Sequence, residues 1–270
     1  MIIDFAKRAL TLLAVTAVVF VSGAGADDIK IPDMGSPADA ILNKSQEAQI
    51  GRAIMRSIRQ SGQLVEDPQI TEYINDIGHR IAAQTNDGDH DFTFFVVNDP
   101  RINAFALPGG YIGVHTGLID ASRSEDELAG VIAHEIAHVT QRHIARSVHA
   151  SSRQSILSTA LMLGALILGA ASGDADAAQA GMAVAQGTAA QQQINFTRSN
   201  EHEADRIGIG ALAAAGFDPH GMSSFFEVMS RQQLSAPDER MPEFLRTHPV
   251  TTTRIAEART RAAEYPRVRS

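Results

Sequence analysis

Residues 124–139 read SEDELAGVIAHEIAHV, and this stretch decides the fold. Ser124 followed three residues later by Glu127 is a capping-box signature, so a helix begins here. Leu128, Ile132, Ile136 and Val139 then recur at helical spacing and make one apolar stripe. The pattern predicts a helix over 124–149. Gly130, Ala133 and Ala137 lie on the flank nearest the histidines and leave room for another backbone to approach closely. His134 and His138, four residues apart, are separated by about 40° around a helix axis, so both imidazoles reach one metal ion. Glu135 flanks that face, where a carboxylate can take a proton from the attacking water, the general-base arrangement of zinc hydrolysis. The competing reading is a helix with two solvated histidines, and five residues alone do not decide between them.

A catalytic metal needs a third protein ligand and an open fourth position. Glu201 is the best candidate. It stands in Asn200-Glu201-His202-Glu203-Ala204-Asp205, at the start of a second helical pattern running to Ala215 and stopped by Gly216. Glu201 and Asp205 share a face that Gly208 and Leu212 continue, which puts both carboxylates on the packed side. Glu201 is therefore read as the ligand, and Asp205 as the acceptor for the free ring N–H of a zinc-bound histidine. Glu203 points nearly opposite and reads as a surface charge or a tether between helices. His202 is the alternative third ligand, about 100° away around the helix. His143 and His149 read as facing away from the ligand pair, with no chemistry.

These residues resemble the gluzincin metallopeptidases of the CAAX prenyl protease and HtpX type, and most closely the soluble periplasmic, BepA-like members. The resemblance covers nearly all of the chain after its first segment. It extends to Asn103-Ala104-Phe105-Ala106-Leu107-Pro108-Gly109-Gly110, to Gly117-Leu118-Ile119, and to Thr247-His248-Pro249 with Arg254 downstream. It implies one Zn2+ per chain held by His134, His138 and Glu201, with Glu135 as base. Asn103, Ala104, Phe105 and Ala106 match an edge strand against which extended substrate backbone pairs, a mode that holds a peptide without dictating its sequence. Read locally, the same stretch is an ordinary hairpin with a Pro-Gly-Gly turn. His248 matches a histidine that approaches the zinc, either filling its open position at rest or binding the substrate oxyanion; a loop histidine that caps a helix is the local alternative. Arg254 either steadies the ligand-bearing helix through a carboxylate or is surface charge. The implied fold is α+β and mainly helical, with a small β-sheet beside the active-site helix. The implied substrates are unfolded or misassembled envelope proteins. A chaperone or assembly factor for outer-membrane proteins, with little proteolysis, is the alternative function. The BepA-like relatives continue into tetratricopeptide repeats, whereas no repeat period appears here, so the expectation is a protease domain alone.

Composition sets the compartment. Lys7 and Arg8 precede an apolar run from Ala9 to Val21, and Ala24-Gly25-Ala26 offers a small-residue cleavage site. Residues 1–26 are expected to be a cleaved secretory signal, with a membrane anchor as the alternative, and residues 27–270 one metallopeptidase domain in the periplasm. The chain has no cysteine, so neither a disulfide framework nor a lipidated cysteine is available. A net charge of −8 without a basic cluster argues against nucleic acid as a partner.

Elsewhere, residues 45–61 and 69–84 carry helical periodicity, the second with Tyr73, Ile74, Ile77 and Ile81 on its apolar side. Phe92–Val97 and Tyr111–His115 read as short strands, with His115 a structural strand-end residue. Asp218-Pro219 starts a further helix whose apolar side carries Met222, Phe225, Phe226 and Met229. Ser155 to Gly173 contains no charge and runs into an Ala/Gly/Gln-rich tract. We read 155–196 as an apolar hairpin or lid rather than a membrane span, with an exposed side suited to a membrane surface, the outer-membrane assembly machinery or a neighbouring subunit.

Overall fold

The computed structural model describes residues 37–85, 91–152, 175–235 and 241–266, all within the unit Ser36–Ser270. The expected signal, 1–26, and the uncharged stretch 155–173 lie outside the described residues.

Two amphipathic helices open this part of the chain. Helix α1 (Lys44–Gln60) starts at a reciprocal cap: the Asn43 side chain accepts from Gln46 N at 3.0 Å, and Gln46 Oε1 accepts from Asn43 N at 2.9 Å. Helix α2 (Pro68–Ala82) starts at Asp67, whose carboxylate accepts from Gln69 N at 2.8 Å. Its Ile74, Ile77 and Ile81 are buried, each contributing about 1.5–3 kcal/mol of apolar transfer. Tyr73 departs from the expected apolar side. It stays exposed, because its hydroxyl finds a partner in Glu125 Oε2 at 3.0 Å.

Strands β1 (Thr93–Val97), β2 (Ala104–Leu107) and β3 (Tyr111–His115) form a mixed sheet in the order β1-β3-β2. Strands β1 and β3 run parallel, with Phe95 opposite Gly113; β2 and β3 form an antiparallel hairpin, with Phe105 opposite the same glycine. Gly109 and Gly110 make the turn at φ of 80° and 85°, a left-handed conformation that favours glycine. The outer edge of β1 is covered, since Val65 N donates to Val96 O at 2.9 Å. The outer edge of β2 carries no strand among the described residues.

After the short helix α3 (Thr116–Ala121) comes α4 (Glu125–Thr140), the centre of the fold. Half of the capping box forms at Ser124: its side chain accepts from Glu127 N at 3.3 Å, while the Glu127 carboxylate accepts from Arg123 N at 2.8 Å. Two expectations change. The apolar residues were expected to form one stripe, but α4 is buried on nearly every side, packed against α2, β2 and two later helices. The expected helix over 124–149 is also interrupted, at Gln141 and Arg142, before a second helix, α5, over 143–152. Arg142 adopts φ of 52°, a conformation that costs a non-glycine residue about 1–3 kcal/mol. The cost is offset by its guanidinium, which pairs with Asp39 and Glu47 and donates to Leu42 O at 2.8 Å.

Helix α6 (Ala175–Ala214) is longer than the pattern from Asn200 suggested. Its first half is rich in alanine and glutamine, strong helix formers. Of the expected hairpin or lid, residues 175–196 lie within this one helix. Gly216, at φ of 84°, ends α6, and Phe217 N donates back to Leu212 O at 3.2 Å. Helix α7 (His220–Ser235) buries Met222, Phe225, Phe226 and Met229. Two short helices, α8 (Glu243–Thr247) and α9 (Thr252–Ala262), close the described part, and among the described residues no helix is long and apolar enough to cross a membrane.

Small residues set how closely these helices meet. A Cβ on Gly130 would lie 2.7 Å from Met222 N in α7, and one on Gly208 of α6 would lie 3.1 Å from the Ala133 carbonyl. The flank of α4 that carries Gly130 and Ala133 is thus where α6 and α7 approach it, bringing the acidic residues of α6 to the histidines.

Candidate metal centre

One turn of α4 presents His134 and His138, whose Nε2 atoms lie 3.0 Å apart. Helix α6 supplies Glu201, with Oε2 at 3.4 Å from His134 Nε2 and Oε1 at 3.4 Å from His138 Nε2. The residue after α8, His248, brings Nδ1 to 3.1 Å from Glu201 Oε2 and 3.3 Å from His134 Nε2. Each of the four side chains offers one ligand atom, and these atoms all lie within 4.8 Å of one another. The group can hold a metal ion.

The far sides of the two rings show which nitrogens are free. His134 Nδ1 lies 2.9 Å from Asp205 Oδ1, and His138 Nδ1 lies 2.8 Å from His143 Nδ1. With both Nδ1 atoms turned outward, the two Nε2 atoms face each other and the Glu201 carboxylate, a convergence of ligating atoms that suits a metal ion once His134 gives up its proton. Burial alone would lower the His134 pKa, but Asp205 and Glu201 outweigh it and hold the ring at about 9. His138 contacts a single carboxylate, so burial wins and pushes it down to about 3.

Arg254 of α9 is buried behind the carboxylates. It donates to Asp205 Oδ2 and Oδ1 at 2.7 Å each and to Glu201 Oε2 at 2.9 Å, and its guanidinium stacks over Phe226. These contacts hold both acids ionised. Burial would raise the Asp205 pKa, but Arg254 and His134 bring it below the ordinary carboxylate range.

Glu135 is buried, and its Oε1 has no hydrogen-bond partner; His248 Nε2 lies 3.5 Å away. Buried carboxylate oxygens are rarely left this way, and such an atom marks a functional position. Strand β2 packs against α4, so Asn103, Ala104, Phe105 and Ala106 lie beside the cluster-bearing helix, at the edge of the sheet that carries no further strand among the described residues. Asn103 is itself buried, with Oδ1 unpaired.

The other histidines separate clearly. His202 turns away from the cluster and meets Glu257 Oε2 of α9 at 2.9 Å. His115 ends β3, buried beside Asp99 Oδ2 at 3.8 Å. His143 corrects the sequence reading, which turned it away from the ligand pair on the assumption of an unbroken helix. The left-handed step at Arg142 swings it back against His138. Only the ring of Arg142 contacts with Asp39, Leu42 and Glu47, remote in sequence, accounts for that step.

The molecule also compares closely with known proteins. A putative beta-barrel assembly-enhancing protease of Vibrio cholerae is 44% identical over 265 residues, 97% of this chain and 53% of the relative. The beta-barrel assembly-enhancing protease of Escherichia coli is 43% identical over 256 residues, 93% and 51% of the two chains. The mitochondrial metalloendopeptidase OMA1 of Schizosaccharomyces pombe is 32% identical over 188 residues, 68% and 51%. The chain thus spans about half the length of the curated relatives it matches. The model of Peptidase family M48 matches residues 68–262, from the first residue of α2 to the last of α9. That match takes in the sheet, the interrupted helix and all four side chains of the cluster, and by it the chain belongs to Peptidase family M48.

Proposed function

We propose that residues 27–270 are a zinc-dependent endopeptidase domain that acts in the periplasm, after removal of residues 1–26, on unfolded or misassembled envelope proteins. The observation that carries this reading is the spacing of His134 Nε2, His138 Nε2 and Glu201 at 3.0–3.4 Å beside the unpaired Oε1 of Glu135. Ligand atoms about 2.0–2.2 Å from a tetrahedral zinc stand roughly 3.3–3.6 Å from one another, so the donor set fits that ion. When bound, zinc supplies a Lewis acid that acidifies water and polarises a carbonyl.

The chain's own groups do the rest. His134, His138 and Glu201 hold the ion, and Asp205 fixes the His134 tautomer by accepting its Nδ1–H. The edge of β2, from Asn103 to Ala106, pairs with extended substrate backbone. Glu135 takes a proton from the attacking water and returns it to the leaving amine. His248 stands where a fourth ligand would stand, so it occupies the substrate position at rest and must withdraw for cleavage. The relative's name, beta-barrel assembly-enhancing protease, supports β-barrel proteins in assembly as the substrate class.

Glu135→Gln tests the reading. Zinc bound as in wild type with cleavage of an unfolded protein abolished is the expected result; equal cleavage by both proteins removes Glu135 as base.

A further inference from the structure

His138 makes its rear contact not with a carboxylate but with another imidazole. His143 Nδ1 lies 2.8 Å from His138 Nδ1, and the two rings meet edge to face with centroids 4.7 Å apart. On the other side of the His143 ring, Nε2 lies 3.1 Å from Glu203 Oε2, which also accepts from Arg146 Nη1 at 2.7 Å. Four side chains thus stand in one line, Arg146, Glu203, His143 and His138. His143 is buried within it.

The direction of these hydrogen bonds follows from chemistry. Glu203 meets donors from two sides, Arg146 Nη1 and the His143 ring, and its carboxylate accepts from both. Nε2 of His143 therefore carries a proton and donates it to Glu203. Across the 2.8 Å contact one Nδ1 donates and the other accepts, and a His138 that ligates a metal through Nε2 carries its proton on Nδ1, so His143 Nδ1 is the lone-pair acceptor. The Nδ1 of His138 is then the donor, with its Nε2 unprotonated and facing Glu201 and His134. The reverse arrangement fails twice. It would set a His143 lone pair against the Glu203 carboxylate and aim an N–H of His138 at the metal position.

We propose that His143 is a positioning residue that, anchored by Glu203, fixes the tautomer and ring orientation of the metal ligand His138. The proposal rests on His138 being a ligand. It makes the two histidine ligands unequal: His134 is backed by the carboxylate Asp205, itself held by Arg254, whereas His138 is backed by a neutral imidazole. It also gives the left-handed step at Arg142 a purpose, since a continuous helix would carry His143 off the face of His138.

Zinc affinity of the full chain, measured by competition with a chromogenic chelator, and the visible spectrum of the cobalt-substituted protein test this. His143→Leu, which fills the space but accepts no hydrogen bond, should weaken zinc binding about 10- to 100-fold and shift the cobalt bands. His143→Gln can accept from His138 and donate to Glu203, and should recover most of the affinity. A folded His143→Leu protein with wild-type affinity and cobalt spectrum overturns the proposal. Nitrogen-15 NMR of the histidine rings in zinc-loaded wild type gives an answer even if the leucine variant does not fold. A protonated Nε2 and bare Nδ1 on His143 support the assignment; a protonated Nδ1 sinks it. His138→Ala separates the two levels of inference. If it loses zinc while His143→Leu does not, only the role of His143 falls; if it keeps zinc, the metal-site reading falls as well.

Discussion

Arg254 and Asp205 form a buried bidentate pair, with Nε and Nη2 of the arginine each 2.7 Å from a separate carboxylate oxygen. The same guanidinium reaches Glu201, so one cation serves two acids behind the cluster. Removing one partner of a buried ionic network leaves the other charge uncompensated. Arg254→Met should therefore destabilise the metal-free protein by about 3–5 kcal/mol in urea unfolding. Zinc should recover part of the loss, because the ion supplies positive charge beside Glu201. Arg254→Lys keeps the charge without the fork and should fall between the two. An unchanged urea midpoint in Arg254→Met would remove the pair from the stability of the fold.

Gly130 separates local propensity from packing. In an isolated helix alanine is better than glycine by about 0.8–1 kcal/mol, so a local view predicts that Gly130→Ala stabilises. The added methyl would lie 2.7 Å from Met222 N and 2.8 Å from Met222 Cα, where backbone rather than a flexible side chain must give way. We expect net destabilisation of about 1–3 kcal/mol, with weaker zinc binding as α4 shifts. A rise in melting temperature would show that α7 yields at no cost.

Asp99 couples stability to acid pH. The hydrogen bond from Arg101, opposed by burial, holds the Asp99 carboxyl down at about 2 in the folded protein. The unfolded state titrates near 3.8, so between these values it binds more protons than the folded state does, and stability falls with pH. The contribution is complete above about pH 4 and is lost as pH drops through about 2. Urea midpoints of wild type and Asp99→Asn should converge across that window. Parallel curves would show that the contact does not perturb the carboxyl.

His248 stands 3.1 Å from Glu201 Oε2 and 3.5 Å from Glu135 Oε1, which under the proposed function is the space that substrate needs. His248→Ala should retain zinc through the other three ligands and cleave an unfolded protein several-fold faster. The comparison is kcat at saturating substrate, with bound zinc measured in the same samples. A fall in kcat with zinc retained would instead make His248 a binder of the oxyanion.

Much of this site was legible in the sequence because it depends on local rules. Helical periodicity puts His134, Glu135 and His138 on one side of α4, and the same rule puts Glu201 and Asp205 on one side of α6. Ser124 announces its helix because its side chain satisfies an amide that a helix start leaves unpaired. Gly216 ends α6 for the matching reason at a C-terminus. The Pro-Gly-Gly turn places β2 beside β3.

What escaped was the work of residues distant in sequence. Arg142 has no local reason to leave the helix; Asp39, Leu42 and Glu47, about a hundred positions earlier, hold it in a left-handed conformation. The position of His143 follows from that step, and so does its contact with His138. Tyr73 stayed exposed because a carboxylate at the start of α4 was within reach. Arg254 could be read as surface charge until α9 was seen to pack it beneath Asp205 and Glu201.

By itself the sequence determined that most of these helices exist and which of their faces carry the candidate metal-ligating side chains, because backbone hydrogen bonding and side-chain period act over a few residues. Only the tertiary structure decided which nitrogen of each histidine is free and where Arg254, His143 and His248 stand. Those depend on charges and donors brought together across the chain, where burial makes every unpaired polar group costly and leaves few arrangements that satisfy them all.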